Sequence, residues 1–496
     1  MRQQRLTLWV IGIGLLWSLA SSQLLRVDGG TLGASLVLFV LTVLPGWLWL
    51  VRGMPHLPLW EAYAAAHVAY YWLPSGREQS DMLGQPPEIR IICLLGVSVF
   101  MLAGWTVQIL VLRWAHLRQR PVWSLGGMAV SSGRSTDWAW WALWGCALYS
   151  GMLYFGLVLR IVPQAIAPYM AALVRITGAL GVFTLSVRMG REGFRPMHQV
   201  MFIGGLFAYS AFELLGGLMA SSVVMCGNAL FAYTLGARRL PIVSLAVSLA
   251  VLTFFNLGKS EWRIQYMDTY DSLSVTERLG DWIKFSWQAA EARLSGVRDE
   301  QVQTALERTD LSGILARVVA TTPRDVPFWE GQTYSDGLQL LVPRFINPNR
   351  PELHAVMRDI GITYGFHSNV QASQGTNISV GPIAEAWMNR GWLALVLVGG
   401  CYGCFFAVGT IIALGRQAEQ AGFLVGVSFF SFIVAGIEHL SFTMFMSFLQ
   451  SFGLTLGVLF VLSVFQSRSA SAPRANMPLM PASLTKQRTG RGNRLD

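Results

Sequence analysis

About twelve apolar stretches, most of them near twenty residues long, run through this chain, and a polypeptide with that pattern has few folds open to it besides helices across a bilayer. They lie at approximately 7–25, 31–51, 57–74, 91–112, 138–159, 164–187, 197–217, 219–236, 240–258, 387–414, 421–438 and 440–465. Composition points the same way, since 53% of residues are hydrophobic and 13% charged, against about 25% charged in soluble domains. The stretches at 91–112 and 387–414 are unambiguous, 57–74 carries Glu61 and His67, and 197–217 with 219–236 can be taken as one broken unit. The expected fold class is an all-α polytopic membrane protein of about twelve transmembrane helices.

Basic residues near span ends are retained on the cytoplasmic side, and here they fall on alternate connections. Arg2 and Arg5 precede the first span, and Arg52 follows the second. Arg113, Arg118, Arg120 and Arg134 follow the fourth, Arg188, Arg191 and Arg195 the sixth, Arg238 and Arg239 the eighth, and Arg416 the tenth. The tail carries Arg468, Arg474, Lys486, Arg488, Arg491 and Arg494. Both termini are therefore expected in the cytoplasm. The first span follows Arg2 and Arg5 and ends near Ser18-Leu19-Ala20; it is read as an uncleaved span and not a signal peptide, which keeps the crossing number even.

A polar segment from about Lys259 to Glu385 interrupts the apolar pattern, and this topology places it outside. It contains 12 basic and 16 acidic residues, whereas the whole chain has a net charge of +10. The positive excess is thus topological, and no nucleic-acid partner is expected. The expected organisation is a membrane domain over 1–258, an external domain over 259–386, further spans over 387–465, and a basic Pro- and Ser-rich tail over 466–496 that is disordered and lipid-facing.

None of the five cysteines lies in the polar segment, so disulfides do not hold it together. Cys401 and Cys404 have redox-motif spacing, but within Gly399-Gly400-Cys401-Tyr402-Gly403-Cys404 the small residues point to close helix packing. In the polar segment, Ser274 and Glu277 form a capping box before Leu279, Trp282, Ile283, Trp287, Ala290 and Leu294, predicting an amphipathic helix over about 274–295. A second helix is expected over 300–320, with Arg308 and Asp310 in it, ended by Thr321-Thr322-Pro323. A Pro-, Gly- and Asn-punctuated loop over 323–351, a short helix near 351–360 and a Gly/Ser/Asn-rich run over 365–381 follow.

No P-loop, dinucleotide fingerprint, His-Glu-x-x-His pair or Gly-x-Ser-x-Gly elbow occurs in the sequence,. At an outer membrane face there are no nucleotides, so the energy for forming a bond must arrive within the substrate. A sugar carried on a polyprenyl diphosphate meets that need. Its leaving group calls for positive charge, which arginine supplies through a planar, permanently ionised fork.

Arg308 with Asp310, Gly331 with Tyr334, Pro343-Arg344, and Pro382 and Glu385 followed by Asn389-Arg390-Gly391 together resemble the motifs of the oligosaccharide repeat-unit polymerases, the O-antigen and exopolysaccharide polymerase family. The resemblance covers residues 300–395 and elsewhere rests on topology. It implies a GT-C-like membrane glycosyltransferase in the bacterial inner membrane, with its large loop in the periplasm. The substrate would be an undecaprenyl-diphosphate-linked oligosaccharide, no metal or other cofactor is implied, and a flippase and a chain-length regulator would be partners. On that resemblance Arg344 and Arg308 clamp diphosphate or glycan, Glu385 is a base or orients an arginine, and Tyr334 stacks on a sugar. Arg350, Asp310, Asn389 and Arg390 join the substrate-binding set, although the family often has Lys where this chain has Arg350.

Ionisable residues within spans add candidates, because charge in a bilayer usually faces a cavity or partner. Arg175 lies where it can meet a lipid diphosphate, Glu61 and Glu213 are expected to pair with it, and His439 sits beside Glu438 at the external boundary as a second candidate base. Four other classes have distinct requirements. An O-antigen ligase would use His354 or His367, a transporter needs repeated broken helices, a membrane peptidase needs a Cys–His pair, and an assembly scaffold needs no site.

Overall fold

The computed structural model describes residues 12, 28–53, 56–76, 80–118, 137–155, 157–163, 167–215, 219–239, 241–259, 261–262, 275–295, 310–341, 353–366, 380–414 and 420–471. Its regular elements there are helices. In chain order they are α1 (Gly29–Val51), α2 (Leu59–His67, continuing through a π-turn at Val68–Trp72 to Leu73–Ser75), α3 (Pro87–Arg118), α4 (Asp137–Tyr154), α5 (Leu157–Ile161) and α6 (Ala167–Glu192). Then come α7 (Pro196–Leu215), α8 (Met219–Ala237), α9 (Ile242–Leu257), α10 (Val275–Leu294), α11 (Leu311–Thr321), α12 (Gln332–Leu341) and α13 (Leu353–Thr363). The last four are α14 (Gly381–Ala413), α15 (Ala421–Ser428), α16 (Phe432–Glu438) and α17 (Ser441–Ser471).

Among the described residues, five helices are long and apolar enough to cross a membrane, at Gly29–Val51, Pro87–Ala115, Met170–Glu192, Gly381–Ala413 and Ser441–Ser463. The protein is thus a helical membrane protein. The expected span at 7–25 lies outside the described residues, and several others are shorter or broken. Across the expected 197–217 and 219–236, the described residues form two helices, α7 and α8, which meet where the Ser222 hydroxyl donates to the Ser210 carbonyl. The stretch 421–438 is broken by a 3-10 turn at Phe429–Ser431.

Helix directions follow from the contacts. Asp28 meets Arg90 at 3.7 Å, and a side chain at Gly30 would strike Ile91, so α1 and α3 start together. Gly399 lies on the carbonyl of Phe100 and Gly403 on that of Gly104, so α3 and α14 run parallel. A Cβ on Gly403 would come within 2.0 Å of the Gly104 oxygen; this crossing explains the glycines flanking Cys401 and Cys404, whose side chains are exposed. Tyr402 against Phe445 and Phe405 against Phe448 make α17 parallel to α14. Helix α2 runs against α3, with Trp60 beside Gly104 and His67 beside Phe100.

The second group of helices obeys the same rule. Asn228 reaches the Ala179 carbonyl and Gly236 lies on Val187, so α6 and α8 are parallel. Gly178 meets Cys146 while Gly181 meets Ala139, so α4 is antiparallel to α6. Arg238 reaches the Gly53 carbonyl, which joins the C-terminal ends of α8 and α1.

The polar segment is less separate than the sequence suggests. Leu311, Leu315 and Val318 of α11 and Ile360 of α13 are buried in the same apolar cluster as Phe100, Tyr402 and Phe406 of the long helices. The expected division at 386 is therefore not a structural boundary, because α14 begins at Gly381. A helix, α12, occupies part of the expected loop at 323–351. In α10 the buried stripe is Arg278, Trp282, Ser286 and Ala289, with Trp282 stacked on Trp262 at 4.9 Å, whereas Ile283 and Trp287 are exposed. The backbone of Gly258 approaches Ser286 closely, which favours a small residue facing α9 and turns the bulky stripe outward. Its expected cap at Ser274 lies outside the described residues.

Candidate active site

The centre of the site is a break in α14. Arg390 (φ −155°, ψ 27°) and Gly391 (φ 56°, ψ −131°) leave helical geometry. Gly391 occupies the positive-φ region at little steric cost. Carbonyls at such a break lose their helical donors, and the loop before α12 supplies replacements: Trp329 N–H donates to the Met388 oxygen at 3.0 Å and Glu330 N–H to the Asn389 oxygen at 3.2 Å. The half-helix Gly381–Asn389 is buried along its whole length. It starts at a glycine with φ 76°, where a Cβ would lie 2.6 Å from the Ile437 carbonyl oxygen.

Glu385 is completely buried on this half-helix. Its Oε2 accepts a 2.6 Å hydrogen bond from the Ser441 N–H, one of the free donors of the first turn of α17. Asn389 Nδ2 donates to Thr333 Oγ1 and to the Glu385 carbonyl, both at 2.8 Å. Around them, Glu385 Oε1, Asn389 Oδ1, Ser441 Oγ and the hydroxyls of Tyr334 and Tyr402 are buried close together, Tyr334 near Asn389 and both Tyr402 and Glu385 near Ser441, with hydrogen-bonding capacity left over. Such groups normally find partners in ordered water or ligand. Burial, and then the nearby Glu385, pushes the Tyr334 phenol far above its ordinary range, so it stays protonated, with a hydroxyl that can donate a hydrogen bond and a ring that can stack.

Beside this polar head lies an apolar cavity of about 530 Å³ between α14 and α17. Leu393, Leu397 and Cys401 line one wall and Phe442, Phe445 and Leu449 the other, with Tyr334, Asn389, Arg390 and Ser441 at the head. Arg390 pairs there with Glu330 at 2.5 Å, both side chains more than half exposed; pairs so exposed contribute about 0.2–1 kcal/mol. Among the described residues, the arrangement has the form of an amphiphile site, with a cation, Arg390, at the rim and a buried carboxylate, Glu385, behind it.

Of the residues expected from the sequence, Glu385, Tyr334, Asn389 and Arg390 come together here. His439 is close in the chain, in the turn before Ser441. Burial, opposed by Glu438, lowers its pKa, which favours the neutral imidazole; Glu438 itself accepts from the Tyr70 hydroxyl at 2.5 Å.

Three expectations need correction. Asp310 is not within a helix but is the N-cap of α11, and its carboxylate is engaged by the Gly313 N–H and the hydroxyls of Ser312 and Ser80. Arg175 pairs with Glu213 at 3.3 Å and borders a separate cavity of about 290 Å³ with Asn228 and Ser431, so it does not belong to the Glu385 site. Glu61 does not pair with Arg175; His56 at 3.1 Å and Gln108 at 3.3 Å hold it.

Arg308, Arg344 and Arg350 lie outside the described residues. Residues not singled out from the sequence include Thr333, Tyr402, Ser441 and Glu330. Thr333 sits within the Gly331–Tyr334 motif, but the other three carry no local signal. Among the described residues, no three His, Cys, Asp or Glu side chains gather as a metal site. Compared with known proteins, the chain matches no family model, no curated protein and no solved structure.

Proposed function

We propose that this protein is a GT-C-like glycosyltransferase that joins polyprenyl-diphosphate-linked oligosaccharide repeat units in O-antigen or exopolysaccharide synthesis. It would work at the periplasmic face of a bacterial inner membrane, with about twelve spans and both termini in the cytoplasm. The observation that carries this reading is the apolar cavity between α14 and α17, headed by Arg390 and backed by the buried Glu385. Its walls suit a polyprenyl chain, and its head suits the diphosphate and the first sugar. Support also comes from the convergence of Gly331, Tyr334, Asn389 and Arg390 on one cavity, since these residues carry the sequence resemblance.

In the reaction, a hydroxyl oxygen of one repeat unit attacks the anomeric carbon of the glycan on its lipid carrier. The bond from that carbon to the diphosphate breaks, and the carrier leaves with the electron pair. Glu385 takes the hydroxyl proton, while Arg390, together with Arg344 and Arg308 as the resemblance implies, balances charge on the leaving diphosphate. A flippase delivers substrate and a chain-length regulator limits the product.

The test is Arg344→Ala at normal expression level. Polymer is expected to fall at least about 100-fold, leaving single repeat units while lipid-linked substrate persists. An unchanged chain-length ladder would sink the proposal. Long polymer retained on its lipid and missing only from its final acceptor would indicate a ligase instead.

A further inference from the structure

An apolar cavity that opens within a bilayer meets the membrane's own phospholipids at far higher concentration than any glycan carrier, so its head must discriminate. Among the described residues lining the groove, the cation at its rim is Arg390, and it is already paired with Glu330 at 2.5 Å. The backbone around the pair is unusual on both sides. Glu330 has φ 50° and is one of two non-glycine residues with positive φ among those described, and Arg390 sits at the non-helical break of α14. Two main-chain hydrogen bonds, from Trp329 N–H and Glu330 N–H to the Met388 and Asn389 carbonyls, clamp the two segments that carry the pair. The side chains can therefore part without the backbones separating.

We infer that Glu330 is a specificity-determining residue, whose carboxylate occupies Arg390 in the empty site and yields only to a lipid headgroup carrying more than one negative charge. A phosphodiester headgroup offers one charge and gains little by replacing a carboxylate that already has one. A diphosphate offers at least two charges and several acceptor oxygens, and can bind the guanidinium fork bidentately. Once freed, the Glu330 carboxylate turns to solvent, where its 61% exposed side chain already lies. The two half-exposed side chains can rearrange because neither is packed in place. This inference rests on the proposed function only in taking the cavity as a lipid site; the filter itself follows from the pair.

Full-length protein in nanodiscs is titrated with polyprenyl diphosphate, polyprenyl monophosphate, phosphatidylglycerol and inorganic pyrophosphate, with bound lipid read by native mass spectrometry. The wild type is expected to prefer the diphosphate lipid over phosphatidylglycerol by at least about tenfold. Glu330→Gln is expected to narrow that ratio to about threefold or less by strengthening phosphatidylglycerol binding, with diphosphate binding retained; Arg390→Gln is expected to lose the diphosphate lipid. Free pyrophosphate is expected to compete weakly, marking a lipid-borne headgroup; competition equal to the lipid's would mean a soluble phosphate ligand and overturn the inference. A wild-type preference that Glu330→Gln leaves unchanged overturns the filter alone. A wild type with no preference removes the lipid-diphosphate reading beneath it as well.

Discussion

The Ser441 N–H donates to Oε2 of Glu385 at 2.6 Å, so the carboxylate proposed as the base also fastens the first turn of α17 to the buried half of α14. The two walls of the cavity are thereby tied together at its head. A helix N-terminus has free N–H donors and a partial positive charge, and Glu385 uses one of them.

Glu385→Gln separates these two duties. The amide oxygen keeps an acceptor for Ser441, so thermal stability in detergent is expected to change by a few degrees at most. Loss of the proton acceptor lowers polymer formation by about 10²–10⁴-fold. Glu385→Leu additionally strands the Ser441 N–H and is expected to destabilise the fold by about 1–3 kcal/mol, visible as a lower melting temperature.

Gly403→Ala should destabilise by about 1–3 kcal/mol, because the new Cβ meets the Gly104 oxygen at 2.0 Å and forces α3 and α14 apart. Gly400→Ala is the control: its Cβ would lie 3.4 Å from a methyl of Val107, a contact that small adjustments absorb. Melting curves of the two variants check the difference.

Asp310→Ala removes the cap of α11 and is expected to cost about 0.5–2 kcal/mol. Hydrogen exchange should quicken over 311–321 first, with lipid-diphosphate binding unchanged. Reduced binding with normal protection would restore a substrate role to Asp310.

Arg175→Ala leaves Glu213, 3% exposed, without its charge partner. The expected loss is about 1–3 kcal/mol, below the 3–5 kcal/mol typical of fully buried pairs because the Arg175 side chain is 36% exposed. Arg175→Met combined with Glu213→Leu should recover most of it. A double variant no more stable than Arg175→Ala would show that the pair also holds a shape that apolar residues cannot.

Much of this organisation was legible from residue patterning. The helical membrane class follows from the apolar stretches, and Glu385, Asn389, Arg390 and Tyr334 were picked out by short motifs that turn out to line one site. The apolar run from 387 reads as one span, whereas the family resemblance implies a Glu385-bearing helix that ends at Asn389-Arg390-Gly391, and that is where α14 breaks; the positive φ of Gly391 and the donors from Trp329 and Glu330 accommodate the interruption. Asp310 reads as part of the helix for a related reason, since a cap directly before a buried apolar residue, Leu311, is indistinguishable in sequence from the first helical turn. Tyr402 and Ser441 reach the site through the parallel packing of α14 on α17, a long-range relation with no local signature. The same holds for Arg175, whose choice of Glu213 over Glu61 depends on which helices are neighbours.

The most direct measurement uses purified protein in liposomes, supplied with lipid-linked repeat units isolated from host cells that lack it. Mass spectrometry is predicted to find glycans of two or more units on the carrier together with free polyprenyl diphosphate, both absent with Glu385→Gln. Single repeat units persisting unchanged with folded wild-type protein would contradict glycan polymerisation.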